Sequence, residues 1–126
     1  MAVIRAPLPF PCKMFTKLIS ASIAVSKNIS VFESGAILVY LAEKAGKFLP
    51  LELDKKYTVI QWLVFQISHL GPVCGQAHHF REAAPERVPY AMMHFTGEAG
   101  RLYALMDNKL LKTTYLAGEE YSIADI

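Results

Sequence analysis

A glutamate and a serine at the junction of two predicted elements are the residues best placed to do chemistry. Glu33 and Ser34 follow a β-prone segment, residues 29–32, and precede apolar residues at helical spacing. The free first-turn amides of a helix and its positive dipole end favour a carboxylate, and a neighbouring glutamate offers a partner for an ammonium group. The pair therefore predicts a site for a group that carries both charges, such as an α-amino acid head. In the alternative interpretation, Ser34 only caps the helix and Glu33 only favours its dipole.

The four histidines are the residues that would most readily suggest a metal site. His78 and His79 are adjacent, and adjacent side chains on a helix point about 100° apart, so they cannot easily share one ion. The chain contains no His-Glu-x-x-His and no Cys-x-x-Cys motif. We therefore predict no metal, and we expect the histidines to be structural or to line a pocket.

The two cysteines, Cys12 and Cys74, form neither a disulfide framework nor a metal pattern. A reducing compartment is the default for such a chain, so we expect a cytoplasmic protein, with a signal or transit peptide as the alternative. Lys13 could lower the pKa of the neighbouring Cys12 thiol, which makes a catalytic Cys12 an alternative to a structural one. Cys74 is expected to be buried and inert.

The elements that must position the Glu-Ser pair can be predicted from local patterns. Ile37, Leu38, Leu41 and Ala45 predict a helix that starts at Ser34, with Ser34 as its N-cap, and Gly46 stands where a left-handed C-terminal cap is expected. Residues 18–25 and 29–32 predict a β-hairpin around Ser26-Lys27-Asn28. Closely spaced prolines indicate that residues 1–16 are irregular.

Two long helices are predicted farther along the chain. The first runs from an N-cap at Asp54 to about Phe80 with a kink at Gly71-Pro72, and it places Trp62 in a core or an interface. The second runs from Pro89 to about Leu111. Its apolar stripe consists of Met92, Phe95, Ala99, Leu102, Met106 and Leu110. The short connection, residues 81–88, predicts antiparallel neighbours.

The last residues contain a helix start signal. Ser122 and Asp125 form a capping box, and Tyr121 and Ile126 have the spacing of a hydrophobic staple. Because a cap stabilises only the helix that it starts, we expect the 126-residue chain to be a fragment.

Composition limits the class of protein and of partner. Hydrophobic residues make up 53% of the chain and the mean hydropathy is +0.28, which predicts that some surface meets another chain or a missing part of the same protein. A net charge of +2 is too small to suggest a nucleic-acid binder. No apolar run reaches the roughly 18 to 20 residues that cross a bilayer, so we expect no membrane partner.

Many short motifs resemble one family. Residues 32–38 and 40–43 closely resemble the glutathione transferases. Further matches to the bacterial subgroup related to disulfide-bond reductases and fungal nitrogen regulators are Gln61-Trp62-Leu63, Leu70-Gly71-Pro72, Ala84-Pro85, Arg101-Leu102-Tyr103 and residues 75–80, 89–91 and 115–118. The resemblance covers roughly residues 29–126, and so many ordered matches make it specific.

The resemblance implies a mainly α fold. A remnant of a thioredoxin-like domain, a β-hairpin plus a helix over residues 18–50, would precede a partial all-helical C-terminal domain over residues 54–126. Residues 1–17 are unmatched. The resemblance further implies glutathione as co-substrate, with Glu33 and Ser34 holding its γ-glutamyl end. The implied partners are a small-molecule electrophile or disulfide and a second copy in a homodimer.

The chain also departs from the family pattern. The family has a proline before the first hairpin strand, where this chain has Leu18-Ile19-Ser20, and nothing in residues 1–30 matches the loop that stabilises the glutathione thiolate. Cys12 lies too close to Glu33 for a complete thioredoxin-like start. The catalytic residue is therefore unknown. Arg101 and Tyr90 fit the subgroup, but surface pairing and core packing explain them equally well.

The intact family conjugates glutathione or reduces disulfides with it, and the sequence predicts that this chain is impaired in that chemistry. The alternatives are a non-catalytic, transferase-like binding or regulatory protein and a degraded gene product. Glutathione-dependent activity would distinguish the enzyme from the non-catalytic protein. A cooperative thermal unfolding transition would distinguish both of these from the degraded gene product.

Overall fold

The computed structural model describes residues 23–26 and 29–126, and helices dominate them. Two strands, β1 (Ile23–Ser26) and β2 (Ile29–Val31), precede four α-helices. The helices are α1 (Ser34–Ala45), α2 (Leu53–Phe65), α3 (Gly71–His78) and α4 (Pro89–Leu110). Two π-helical turns, Gln66–Leu70 and His79–Ala83, follow α2 and α3. The prediction of a mainly helical fold with a small β-hairpin is confirmed.

The two strands pair antiparallel, as the sequence predicts. Ile23 lies opposite Val31 and Ala24 opposite Ser30, and the register is irregular between Ala24 and Ser26. The predicted hairpin is thus present, although residues 18–22 of its first strand and residues 27–28 of its turn lie outside the described part. Residues 1–17, which we expect to be irregular, also lie outside it.

Helix α1 ends as predicted at Gly46, which adopts a left-handed conformation with φ 63° and ψ 30°. The Gly46 N–H donates to the Glu43 carbonyl at 3.3 Å, and the Lys47 N–H donates to the Ala42 carbonyl at 3.2 Å. This pair of bonds is the Schellman motif, which satisfies two carbonyls that the helix leaves unpaired. Glycine suits the position because it adopts positive φ without a Cβ clash.

The long helix predicted from Asp54 to Phe80 is observed over residues 53–83. Its α-helical segments alternate with two π-helical turns, and no non-helical residue separates them. Asp54 is not its N-cap, because the helix begins one residue earlier and Glu52 occupies the cap position. Asp54 instead lies in the first turn, where its charge favours the helix dipole. The first π turn immediately precedes Gly71 and Pro72, where proline has no amide hydrogen for a regular helix. The kink at Gly71-Pro72 itself stays a prediction.

The main core joins α1, α2 and the last residues of the chain. Five residues are buried in it: Ala42, Val59, Leu63, Ile123 and Ala124. Trp62 packs against this cluster as a partly buried residue, as predicted. The C-terminal segment therefore helps to fix α1 on α2.

Helix α4 packs antiparallel to α3 and the π turns. The Phe80 ring stacks on Phe95 with centroids 5.5 Å apart, and the Cys74 Sγ lies 3.8 Å from the Tyr103 Oη. In these contacts the residue number decreases from Phe80 to Cys74 while that of the α4 partner increases from Phe95 to Tyr103. The two helices therefore run in opposite directions, as predicted. Leu102 is 2% exposed, and the rest of the predicted stripe is half-buried except Leu110, which is 43% exposed.

The predicted capping box is formed. The Asp125 Oδ2 accepts from the Ser122 N–H at 3.0 Å and from the Ser122 hydroxyl at 3.0 Å. The other carboxylate oxygen accepts from the Leu116 N–H at 2.9 Å, and the Ala124 N–H donates to the Ser122 Oγ at 3.3 Å. Asp125 thus ties two segments of the chain together.

The hydrophobic staple stays a prediction. The Tyr121 ring contacts the rings of Phe48 and Tyr115 edge-on, at centroid distances of 5.9 Å and 5.6 Å. Ile126 is 70% exposed.

In the described part of the chain, no helix is long and apolar enough to cross a membrane.

Candidate functional site

Glu33 has an unusual backbone conformation at the front of α1. Its φ is 70° and its ψ is 126°, and its carbonyl accepts the first helical hydrogen bond from the Ile37 N–H at 3.0 Å. A non-glycine residue with positive φ is uncommon. Such a conformation costs about 1–3 kcal/mol and persists where the surrounding structure holds it, often at a ligand site.

The structure places Ser34 one position away from the predicted cap. Glu33 is the N-cap residue, Ser34 is the first residue of α1, and no side chain among residues 23–26 and 29–126 makes a capping hydrogen bond at this end. The prediction of Ser34 as N-cap is therefore wrong. Glu33, with its positive φ and extended ψ, is the last non-helical residue, and the helix starts at Ser34 itself.

This shift leaves the polar groups of the site available. Glu33 and Ser34 are both exposed. The first-turn amides of a helix have no intrahelical partner, and they carry the positive end of its dipole. An exposed carboxylate, an exposed hydroxyl and unpaired amides thus occur together, which suits a group that carries both an ammonium and a carboxylate.

Gly35 anchors the site to the core. It is buried, and a Cβ on it would overlap the Ile67 Cδ1 and lie 3.9 Å from the Leu63 Cδ2. The first turn of α1 therefore approaches α2 and the following π turn so closely that only glycine fits without movement. This contact fixes where Glu33 and Ser34 stand.

We expect Gly35→Ala to destabilise the protein by about 1 kcal/mol, the low end of the usual cost of overpacking, because the extra methyl displaces the end of the Ile67 side chain. The companion change Ile67→Val removes the overlapping methyl and should recover most of that loss. Both variants are compared by urea denaturation.

Gly97→Ala is the matched control, since none of the described residues outside the local helix backbone comes within 4 Å of a Cβ built at Gly97 in α4. It should stabilise by about 0.5–1 kcal/mol, the usual gain of alanine over glycine inside a helix. If Gly35→Ala behaved like Gly97→Ala, the close approach to Ile67 would be refuted.

The adjacent histidines have different surroundings. His78 is exposed, and His79 is half-buried with its ring edge-on to Phe80 at 5.1 Å. Among residues 23–26 and 29–126, no three His, Cys, Asp or Glu side chains are grouped so that they could hold a metal ion. The ring contact of His79 with Phe80 packs two neighbouring residues of the second π turn.

His69 forms a short contact with its neighbour Ser68, from Nδ1 to Oγ at 2.7 Å. The Ser68 hydroxyl donates to the Val64 carbonyl at 2.8 Å, so in this arrangement the imidazole donates to the Ser68 oxygen. A serine with its proton directed at the helix is not activated as a nucleophile. The His69 ring also stacks on Phe65 at 6.0 Å, which makes its role structural.

Cys74 is half-buried rather than buried as expected, because its place on α3 faces Tyr103 of α4 near the protein surface. The side-chain hydrogen bond to Cys74, followed by the charge of its thiolate, raises the pKa of Tyr103 above 10.0. In the structure the Cys74 thiol donates to the Tyr103 hydroxyl oxygen at 3.8 Å. Cys12, the catalytic alternative, lies outside the described residues.

Arg101 and Tyr90 both have partners on the surface of α4. The Arg101 Nε and Nη2 donate to the Glu98 Oε2 at 3.1 Å and 2.9 Å, and this hydrogen bonding lowers the pKa of Glu98 below 4.5. The Tyr90 ring stacks on His94 at 5.9 Å and is 72% exposed. Surface pairing thus accounts for both residues, and neither joins the Glu33-Ser34 site by a contact in the described chain.

Comparison with known proteins gives consistent relatives. The chain is 50% identical over 98 residues to the disulfide-bond oxidoreductase YfcG of Escherichia coli strain K12, a match that covers 78% of this chain and 46% of that protein. It is 46% identical over 99 residues to the disulfide-bond oxidoreductase YghU of the same organism, covering 78% of this chain and 34% of the relative. No family model matches the chain.

Solved structures show the same relationship. A glutathione transferase YghU of Streptococcus pneumoniae, complexed with glutathione, matches with a TM-score of 0.74 and 42% identity, covering 77% of this chain and 37% of that one. A glutathione transferase of Pseudomonas putida with bound glutathione disulfide matches with a TM-score of 0.73 and 38% identity, covering 77% and 43%.

The chain spans less than half of the length of these relatives. Its hairpin, α1 and the following helices have the fold of part of a glutathione transferase. Over 78% of its length the chain is therefore homologous to the glutathione transferases, in the group that includes the bacterial disulfide-bond oxidoreductases.

Proposed function

We propose that the chain binds glutathione through Glu33 and Ser34. The γ-glutamyl carboxylate would accept hydrogen bonds from the Ser34 hydroxyl and the first amides of α1, and the ammonium would pair with the Glu33 carboxylate. The observation that carries the proposal is the front of α1, where Glu33 has a φ of 70° and no side chain of the described residues caps the helix. The bound glutathione in the relative of Streptococcus pneumoniae supports the choice of ligand.

The proposed contacts differ in strength from ordinary surface pairs. A hydrogen bond to a charged group contributes about 1.5–3 kcal/mol, whereas an exposed ion pair contributes about 0–1 kcal/mol. The carboxylate contact at the helix end should therefore give most of the affinity. The ammonium contact to Glu33 should mainly select the α-amino acid head over a simple carboxylate.

We further propose that the whole protein acts on glutathione in the cytoplasm. It would either join the glutathione sulfur to a small-molecule electrophile or reduce a small disulfide by thiol–disulfide exchange with glutathione. The names of the two Escherichia coli relatives support the disulfide. A homodimer is part of this proposal, and exposed apolar residues support it, since Leu51 is 96% and Leu53 71% exposed. The proposed division is unmatched residues 1–17, a partial thioredoxin-like domain over residues 18–50 and a partial helical domain over residues 54–126.

A second candidate is a non-catalytic protein that binds glutathione without turnover. It is favoured by the lack of any match in residues 1–30 to the family's thiolate-stabilising loop. The catalytic residue is accordingly left unassigned.

A nuclear magnetic resonance titration with glutathione tests the binding site. We expect the amide signals of Ser34, Gly35 and Ala36 to shift, and Ser34→Ala to weaken binding about tenfold, which corresponds to one charge-assisted contact. A glutathione analogue without the α-amino group should bind more weakly to the original chain. It should lose nothing further in Glu33→Gln, since the group that pairs with Glu33 is already absent.

Ser30→Ala is the matched control, because Ser30 is an exposed serine of β2 outside the helix end. It should leave the affinity unchanged. Equal weakening by Ser30→Ala and Ser34→Ala, or amide shifts confined to other parts of the chain, would refute the proposed site.

A further inference from the structure

A groove at the far end of the α3–α4 hairpin is not part of the Glu33-Ser34 site. It has a volume of about 670 Å³ and lies between the second π turn, the connection over residues 84–88 and the first turns of α4. Its lining consists of Arg81, Arg87, Pro89, Met92, Met93 and Thr96. Small-molecule pockets usually measure about 300–1,000 Å³, so the groove has a suitable size for a small ligand.

The walls of the groove are held by contacts just beside its lining. Phe80, next to Arg81, stacks on Phe95, next to Thr96, with the ring planes only 4° apart. The Ala84 N–H donates to the His79 carbonyl at 2.8 Å and closes the π turn. These contacts fix the two sides relative to each other, so binding there requires little rearrangement.

The apolar part of the lining is adaptable. Met92 is half-buried, and Met93 is 71% exposed. Methionine is unbranched and polarisable, and it packs against apolar groups of varied shape. An exposed methionine beside a half-buried one offers a surface for an alkyl chain or a flat apolar group.

The charge of the lining has one sign. Arg81 and Arg87 are exposed, and no acidic residue in the described part of the chain lines the groove. Arg81 has an acidic neighbour outside the lining, since its Nε lies 4.0 Å from the Glu82 Oε1, but exposed pairs at this distance are weak. Within residues 23–26 and 29–126, Arg87 has no recorded ion pair. The lining therefore combines cationic and apolar side chains.

We infer that this groove binds a small organic anion with an unbranched apolar body, such as a medium-chain carboxylate. The head group lies between Arg81 and Arg87, where guanidinium groups can donate to both carboxylate oxygens. The alkyl chain lies on Met92 and Met93. An inorganic anion would lack the contact with the methionines, and a neutral alkane or alcohol would lack the contact with the arginines.

The test is a titration of the whole chain with octanoate, observed through the ¹³C-labelled methyl groups of its methionines. We expect saturable shifts of the Met92 and Met93 signals. Met106 is the internal reference, because it lies about 20 Å from Met93 along α4. The double variant Arg81→Gln/Arg87→Gln should weaken octanoate binding at least about tenfold. Arg101→Gln, an exposed arginine of the same helix outside the groove, should not weaken it.

Two further ligands separate the contributions of charge and apolar body. Octan-1-ol should shift the same signals only at about tenfold higher concentration, and acetate should not shift them in the range where octanoate saturates. The inference is overturned if octanol binds as tightly as octanoate, if the double variant keeps its affinity, or if the Met106 signal moves together with those of Met92 and Met93.

Discussion

Asp125→Ala is expected to destabilise the protein by about 2–4 kcal/mol, because one carboxylate accepts three hydrogen bonds at the edge of the core. The change leaves the amides of Leu116 and Ser122 and the Ser122 hydroxyl without their carboxylate acceptor. An unsatisfied buried donor costs about 1–3 kcal/mol, and the cost is high here because Ser122 is 3% exposed. Water can reach the half-buried Leu116 amide, which keeps the total below the sum of three full penalties.

Urea denaturation compares this variant with Asp107→Ala, which removes an exposed aspartate of α4. The control should change the free energy of unfolding by less than about 0.5 kcal/mol, as surface substitutions usually do. Asp125→Asn should fall between the two, because its amide keeps one acceptor oxygen. Equal losses for Asp125→Ala and Asp107→Ala would show that the capping box contributes nothing to the fold.

The capping box matters to the candidate site through the core. Ile123 is 2% exposed, and its N–H donates to the Phe48 carbonyl at 3.0 Å, in the segment that follows α1. Phe48 itself has a φ of 66°, an uncommon value for a residue with a side chain. The C-terminal segment thus holds the end of α1 in place while Gly35 holds its beginning. Loosening Asp125 should therefore also loosen the position of Glu33 and Ser34.

The parts of the fold that could be predicted from the sequence depend on local signals. The stripe from Met92 to Met106 packs as its period indicates, and Gly46 caps α1 through bonds within a few residues. The Ser122-Asp125 box forms for the same reason, because its two members need only three residues of chain to meet. In each case the residues that carry the sequence signal also make the contacts that fix the local structure.

The features that could not be predicted depend on contacts between distant segments. No local pattern signals a positive φ at Glu33, since glutamate rarely adopts it, and this conformation moves the start of α1 away from a Ser34 cap. The contact of Gly35 with Ile67 spans two helices. A glycine in the first turn of a helix was the available signal, but many glycines in helices have no such contact. The π turns likewise have no reliable sequence signature.

The largest functional effect is expected in catalysis. The 126-residue chain should have little or no glutathione transferase turnover, and it should bind glutathione in about the millimolar range or more weakly. Glu33 and Ser34 can hold only the γ-glutamyl end of the tripeptide. The resemblance assigns the cysteinyl contact to a loop with a proline, where this sequence has Leu18-Ile19-Ser20. No residue in 1–30 matches the group that stabilises the thiolate.

The size of the effect follows from the number of missing contacts. Each charge-assisted contact contributes about 1.5–3 kcal/mol, so the loss of two or three weakens binding by several orders of magnitude. Turnover should fall further than binding. A thiol with an ordinary pKa is mostly protonated at neutral pH, and only the thiolate attacks an electrophile or a disulfide.

Steady-state assays with glutathione and either a chloro-aromatic electrophile or a small disulfide measure this directly. The disulfide-bond oxidoreductase YfcG of Escherichia coli serves as a comparison protein in the disulfide assay. The chain should show a rate close to that of glutathione alone, and Ser34→Ala should not change that rate, because a site that holds one end of the ligand does not activate its sulfur. A rate well above the background that Ser34→Ala abolishes would contradict the prediction, and it would show that residues without a family match supply the thiolate stabilisation.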